Sequence, residues 1–80
     1  MEIDEVKVGS SLISGTVDGN IRAMEIRIYN YVTGNLNNEY IQVENGKFKL
    51  EVDEIKEEDI ILITVNDNGI SKFIEVRPSK

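Results

Sequence analysis

The stretch Tyr40-Ile41-Gln42-Val43-Glu44-Asn45-Gly46-Lys47-Phe48-Lys49-Leu50-Glu51-Val52 decides the fold class. Asn-Gly is the strongest two-residue hairpin signal, because a type I′ turn needs positive φ at both central positions. With Asn45 and Gly46 at the tip, Glu44 is predicted opposite Lys47, Val43 opposite Phe48, Gln42 opposite Lys49, Ile41 opposite Leu50 and Tyr40 opposite Glu51. Side chains alternate between faces along a strand, and directly opposed residues share a face. The apolar set Val43, Phe48, Ile41 and Leu50 therefore falls on one face and the charged residues on the other. Turn chemistry and apolar pattern agree, and the chain is committed to half-buried antiparallel sheet.

Turn signals recur at short intervals outward from this stretch: Gly9-Ser10, Asp18-Gly19-Asn20, Thr33-Gly34-Asn35 and Asn68-Gly69. Short β-rich runs between regular turns indicate a sandwich or barrel. Seven strands are predicted: β1 over Ile3–Val8, β2 over Leu12–Val17, β3 over Ala23–Tyr31, β4 over Glu39–Val43, β5 over Lys47–Val52, β6 over Ile60–Asn66 and β7 over Ser71–Arg77. A β1–β2 hairpin closing over Gly9-Ser10, as a type II′ tip with Gly first, sets Val6 opposite Ile13. A β6–β7 hairpin closing over Asn68-Gly69 sets Ile63 opposite Ile74 and Ile61 opposite Val76. The predicted core is Val6, Ile13, Val17, Met24, Ile26, Ile28, Ile41, Val43, Phe48, Leu50, Ile61, Ile63, Val65, Ile74 and Val76. The acidic segment 52–59 reads as a connector, with Ile55 plugging one end of the sandwich. Pro78 cannot donate to a ladder, so it ends β7, and residues 78–80 read as the start of a linker.

At 80 residues the chain is one domain. It has no cysteine and no histidine, which removes disulfides, thiolate and ordinary zinc sites, and imidazole catalysis. Its net charge of −6, without a basic cluster, argues against nucleic acid and anionic membranes and suits a small soluble domain. No apolar run approaches the ~20 residues of a membrane helix. Residues 1–15 carry Glu2, Asp4 and Glu5 where a secretory leader would be basic.

The residues resemble a family. Ile13-Ser-Gly15-Thr-Val17-Asp-Gly19, the alternating Met24-Glu-Ile26-Arg-Ile28, Glu44-Asn-Gly46-Lys-Phe48-Lys-Leu50, Ile55-Lys-Glu-Glu-Asp59 and Ile61-Leu-Ile63-Thr-Val65-Asn-Asp67-Asn-Gly69 stand in the order and spacing of a bacterial immunoglobulin-like domain, of the tandem kind found in surface and secreted proteins. The match covers about Val6 to Val76. It departs from the family at Asp53, where Pro is usual, and at Glu58, where Gly is common. Transthyretin-like and carboxypeptidase-regulatory-like sandwiches share the Gly-x-Phe-x-Leu strand. The resemblance implies a seven-stranded immunoglobulin-like antiparallel β-sandwich with an extracellular or cell-surface location. It also implies a role as spacer, adhesion or protein-interaction module, in contact with neighbouring domains or a protein partner.

No enzyme is expected, since no general base stands beside any serine or threonine and an 80-residue sandwich has little material for a cleft. Hard cations take clustered oxygens, so calcium is weighed at Asp53, Asp59 and Asp67, though without EF-hand spacing; no other cofactor is expected. The sharper candidate is the outer face of β3, β6 and β7. Strand alternation sends Arg27, Tyr29 and Tyr31 outward on β3, and the β6–β7 register sends Ile60, Leu62, Thr64 and Phe73 outward. Apolar patches on a small domain mark contact sites, and tyrosine suits them because it offers area at low entropy cost. Carbohydrate is the alternative ligand, on a platform of Tyr29, Tyr31 and Tyr40; the absence of tryptophan weighs against it. The plain alternative is β-propensity alone.

Overall fold

A computed structural model describes residues 1–80 as seven antiparallel strands in two packed sheets, a β-sandwich. The strands are β1 (Glu2–Ile3), β2 (Leu12–Thr16), β3 (Ala23–Asn30), β4 (Leu36–Gln42), β5 (Lys47–Glu51), β6 (Asp59–Asp67) and β7 (Ile70–Val76). One sheet has the order β1-β2-β5 and the other β4-β3-β6-β7. The neighbour relations expected for β3, β6 and β7 hold, with Ile26 opposite Ile63 and Ile63 opposite Ile74.

The Asn45-Gly46 turn forms, but the hairpin around it does not. Asn45 and Gly46 have φ of 53° and 72°, as a type I′ tip requires, and Glu44 pairs with Lys47. Beyond that single pair the strands part into different sheets. Ile41 lies opposite Met24 on β3, not opposite Leu50, and Gln42 lies opposite Ala23. Tyr40 lies opposite Glu25, not Glu51. Phe48 lies opposite Gly15 and Leu50 opposite Ile13, both on β2. The turn straddles the gap: the Val43 amide donates to the Arg22 carbonyl, and the Val17 amide donates to the Gly46 carbonyl. Val43 and Phe48 are both buried, but they enter the core from opposite sheets. Alternation states which residues point inward. It does not state which strand lies alongside, so a corner and a hairpin read alike.

The β1–β2 expectation also needs correction. β1 is two residues long, in a register that sets Ile3 opposite Gly15, so Val6 does not face Ile13. The turn is one residue earlier than expected. The Ser10 amide donates to the Lys7 carbonyl, and Gly9, at the third position, has φ of 91°. A type II turn requires positive φ at that third position. After Asp4 the chain leaves β2, and Lys7 forms a parallel bridge to Ser79. The Val8 amide donates to the Ser79 carbonyl and the Ser79 amide to the Val6 carbonyl. Ser79, just past Pro78, is thus tied to the domain.

The core lies between β2 and β5 on one side and β3 and β6 on the other. Ile13, Ile26, Ile55, Ile61 and Ile63 are its fully buried large side chains. Each contributes about 2 kcal/mol by removal from water. Ile55 caps one end from the connector, as predicted, its amide donating to the Ser10 carbonyl. Ile21, in the β2–β3 loop, is buried too; it sits outside any alternating run and so gives no periodic signal. Ile74 is the exception among the predicted core residues. It points to the inner side of β7 but is 36% exposed, on an edge strand of the wider sheet.

Candidate functional site

Three strand-to-strand registers build the outer face of the four-stranded sheet. One row across it reads Tyr40, Glu25, Thr64, Phe73, the next Asn38, Arg27, Leu62, Glu75, and a third Leu36, Tyr29, Ile60. Phe73 is 71% exposed, Tyr40 76% and Tyr29 43%; Leu36 and Tyr31 are exposed as well. Ile60, Leu62 and Thr64 are half-buried in the central strand. Arg27, Tyr29, Leu62 and Phe73 therefore share one surface, as the alternation predicted. Tyr31 lies just past the end of β3, in the turn that leads to β4.

The tyrosines do not gather into a single platform. Tyr40 lies opposite Glu25, four residues along β3 from Tyr29, a distance of about 13 Å at strand rise. β4 thus contributes Leu36 and Tyr40 at opposite ends of the face, and of these two the sequence had singled out only Tyr40. Their place follows from β4 pairing with β3, which no local pattern announces.

Charge on this face centres on Glu25. Its carboxylate is largely covered; one oxygen pairs with the Arg27 guanidinium at 3.2 Å, and the other is buried without a well-formed hydrogen bond. The Tyr40 phenol lies against it. Hydrogen bonding to the Glu25 carboxylate, and then its negative charge, raise the phenol's pKa above its ordinary value. Glu25→Gln is expected to bring the Tyr40 titration midpoint back down toward 10.0, followed by phenolate absorbance against pH. An unmoved midpoint would place the cause elsewhere.

The three calcium candidates are not brought together. Asp53 and Asp59 line a cleft of about 490 Å³ between the sheets, where β4 and β5 diverge. Both Asp59 oxygens are engaged: Oδ1 accepts from Asn30 Nδ2 at 2.9 Å and Oδ2 from the Lys56 amide at 2.8 Å. Asp67 instead accepts from Asn20 Nδ2 at 2.6 Å and Lys72 Nζ at 3.1 Å. Nowhere do three acidic side chains converge on a point that could hold a metal ion. The sequence reading missed the Asn30–Asp59 pair. Its signal was a polar residue at the inward-alternating position 30.

Hydrogen bonds from Asn20 and then Lys72 hold the Asp67 carboxyl below its ordinary 3.8. A depressed folded pKa means the folded state releases this proton more readily. The stabilisation is therefore complete above the unfolded value and is lost as pH falls through the folded one. A carboxyl-carbon NMR titration is expected to place the Asp67 midpoint below 3.8, and Asn20→Ala to raise it.

No protein-family model, curated protein or solved structure matches the chain.

Proposed function

We propose that the chain is a non-catalytic immunoglobulin-like module of a larger bacterial surface or secreted protein, acting as a spacer, adhesion or protein-interaction domain. Its contact surface is the outer face of the four-stranded sheet. The observation that carries this reading is the set of exposed residues Tyr29, Leu36, Tyr40 and Phe73 on the face that also holds half-buried Ile60 and Leu62, where a solvated sheet is ordinarily polar. The immunoglobulin-like assignment is supported by the strand order: β2 beside β5 in one sheet, and β3 beside β6 beside β7 in the other. It is supported also by the motif order from Ile13 to Gly69. The surface or secreted location rests on that resemblance.

An amide-shift titration of the isotope-labelled domain tests the reading. Calcium and a glycan panel are expected to leave the spectrum unchanged. The neighbouring domain of the same polypeptide is expected to give saturable shifts centred on Arg27, Tyr29 and Leu62. Saturable glycan shifts at Tyr29 and Tyr31 would replace protein contact with carbohydrate binding.

A further inference from the structure

Both edge strands of the four-stranded sheet, β4 and β7, carry exposed residues on the side that faces the other sheet. The sequence treats the two edges differently. On β4 the uncovered inner side carries Asn37 and Glu39, polar as contact with water demands. On β7 the uncovered inner side carries Ile70, 63% exposed, and Ile74, with Phe73 exposed on the other side. Lys72 is the only charged side chain among the inward positions of β7, and its ammonium is held by Asp67. On that inner side the exposed residues are polar on β4 and largely apolar on β7.

The backbone of β7 is free as well. Asn68 and Gly69 form a two-residue tip with φ of 54° and 83°, which makes Asp67–Ile70 a hydrogen-bonded pair. Such pairs alternate along an antiparallel ladder. Ile70, Lys72, Ile74 and Val76 therefore spend their N–H and C=O groups on β6, and those of Ser71, Phe73 and Glu75 point away from it. No other segment bonds them; the N-terminal segment reaches only Ser79. A long, apolar, unpaired edge is a template for another strand.

We propose that β7 pairs antiparallel with β7 of a second copy of this chain, about a two-fold axis at Phe73, so that two four-stranded sheets become one continuous sheet. In that register Phe73 meets Phe73 of the other copy, Ile70 meets Val76, Ser71 meets Glu75, and Ile74 lies along the Lys72 stem. About six backbone hydrogen bonds form, two for each outward-pointing pair. No like charges are opposed. Slipping the register by one step sets Lys72 against Lys72 in one direction and Phe73 against Glu75 in the other. Self-complementarity of this kind is what a two-fold interface requires. The inference goes beyond the outer-face reading, since it uses the edge of the sheet and shares only Phe73 with the surface around Tyr29 and Leu62.

Sedimentation across a wide range of protein concentration tests it, with hydrogen exchange on the same samples. The mass is expected to rise from 9.1 kDa toward twice that value. Protection is expected to appear with concentration at the Ser71, Phe73 and Glu75 amides, in alternation with neighbours already protected in the monomer. Ser71→Pro removes an outward N–H and none of the β6 ladder, so the variant is expected to fold and stay monomeric. Asn38→Pro makes the equivalent change on the β4 edge and is expected to leave association intact. A wild-type chain that stays monomeric throughout overturns the proposal. So does a dimer that survives Ser71→Pro, or one that Asn38→Pro abolishes. If Ser71→Pro does not fold, the alternating amide pattern in the wild type decides alone.

Discussion

Gly15→Ala is expected to destabilise the domain by about 3 kcal/mol, at the upper end of the range for overpacking a core. Gly15 lies in the middle strand of the three-stranded sheet, with Ile3 opposite on one side and Phe48 on the other. A Cβ on its inner face would run into the backbone carbonyl of Glu2 and come within 3.0 Å of the Phe48 ring. The ring can tilt, but the carbonyl belongs to the strand that must stay paired. For a chain of this size, a loss of about 3 kcal/mol lowers Tm by roughly 12–24 °C. Thermal melting by circular dichroism checks it, and a melting point close to the parent's would mean that β1 yields freely. Adding Phe48→Leu separates the two contacts. Partial recovery implicates the ring, and none implicates the Glu2 backbone.

Asp59→Ala should cost a similar amount, about 2–5 kcal/mol, by a different route. Asp59 and Asn30 are both buried, and together they tie two loops to the ends of β3 and β6. Asn30 Oδ1 accepts from the Val32 and Thr33 amides at 3.0 and 2.9 Å, shaping the turn into β4. Its Nδ2 donates to Asp59, whose other oxygen takes the Lys56 amide. Alanine at 59 leaves the buried Asn30 amide and the part-buried Lys56 amide without acceptors, and an unmet donor costs about 1–3 kcal/mol when fully buried. The loss should be local first. Hydrogen exchange is expected to accelerate at Lys56 and across residues 31–34 before the global transition shifts. Uniform acceleration across β6 would argue against a clamp. Asp59→Asn, which keeps one carbonyl acceptor but turns an amide toward a donor, should fall between the two.

These residues show where sequence reading stops. Asp59 was singled out as an oxygen ligand because carboxylates in a loop attract that reading. Its actual partner, Asn30, lies 29 positions away and becomes visible only when β3 and β6 are side by side. Gly15 was noticed as part of a Gly-Thr strand, but its necessity comes from the Glu2 carbonyl and the Phe48 ring, the second on a strand that was expected to pair elsewhere. On the outer face, Arg27, Tyr29, Leu62 and Phe73 were legible because a period of two and a two-residue turn state a side chain's face locally. Tyr40 was grouped with Tyr29 and Tyr31 in a platform that does not form, and Leu36 was missed, because the arrangement depends on which strand β4 chooses.

By itself the sequence determined the all-β class, six of the seven strands to within a few residues, the Asn45-Gly46 and Asn68-Gly69 turns, the β6–β7 register and most of the inward-pointing set. Those properties follow from backbone φ preferences and side-chain alternation, which act over a few neighbouring residues. Only the tertiary structure decided that Asn45-Gly46 turns a corner between sheets and that the N-terminal segment crosses from β2 to Ser79. It alone showed that Ile74 and Ile70 lie open on an edge strand. Those outcomes depend on how many strands each sheet holds and on which backbone groups find partners across long stretches of chain. Alternation is the same for a strand whichever neighbour it takes, so that choice is made by the packing of the whole core.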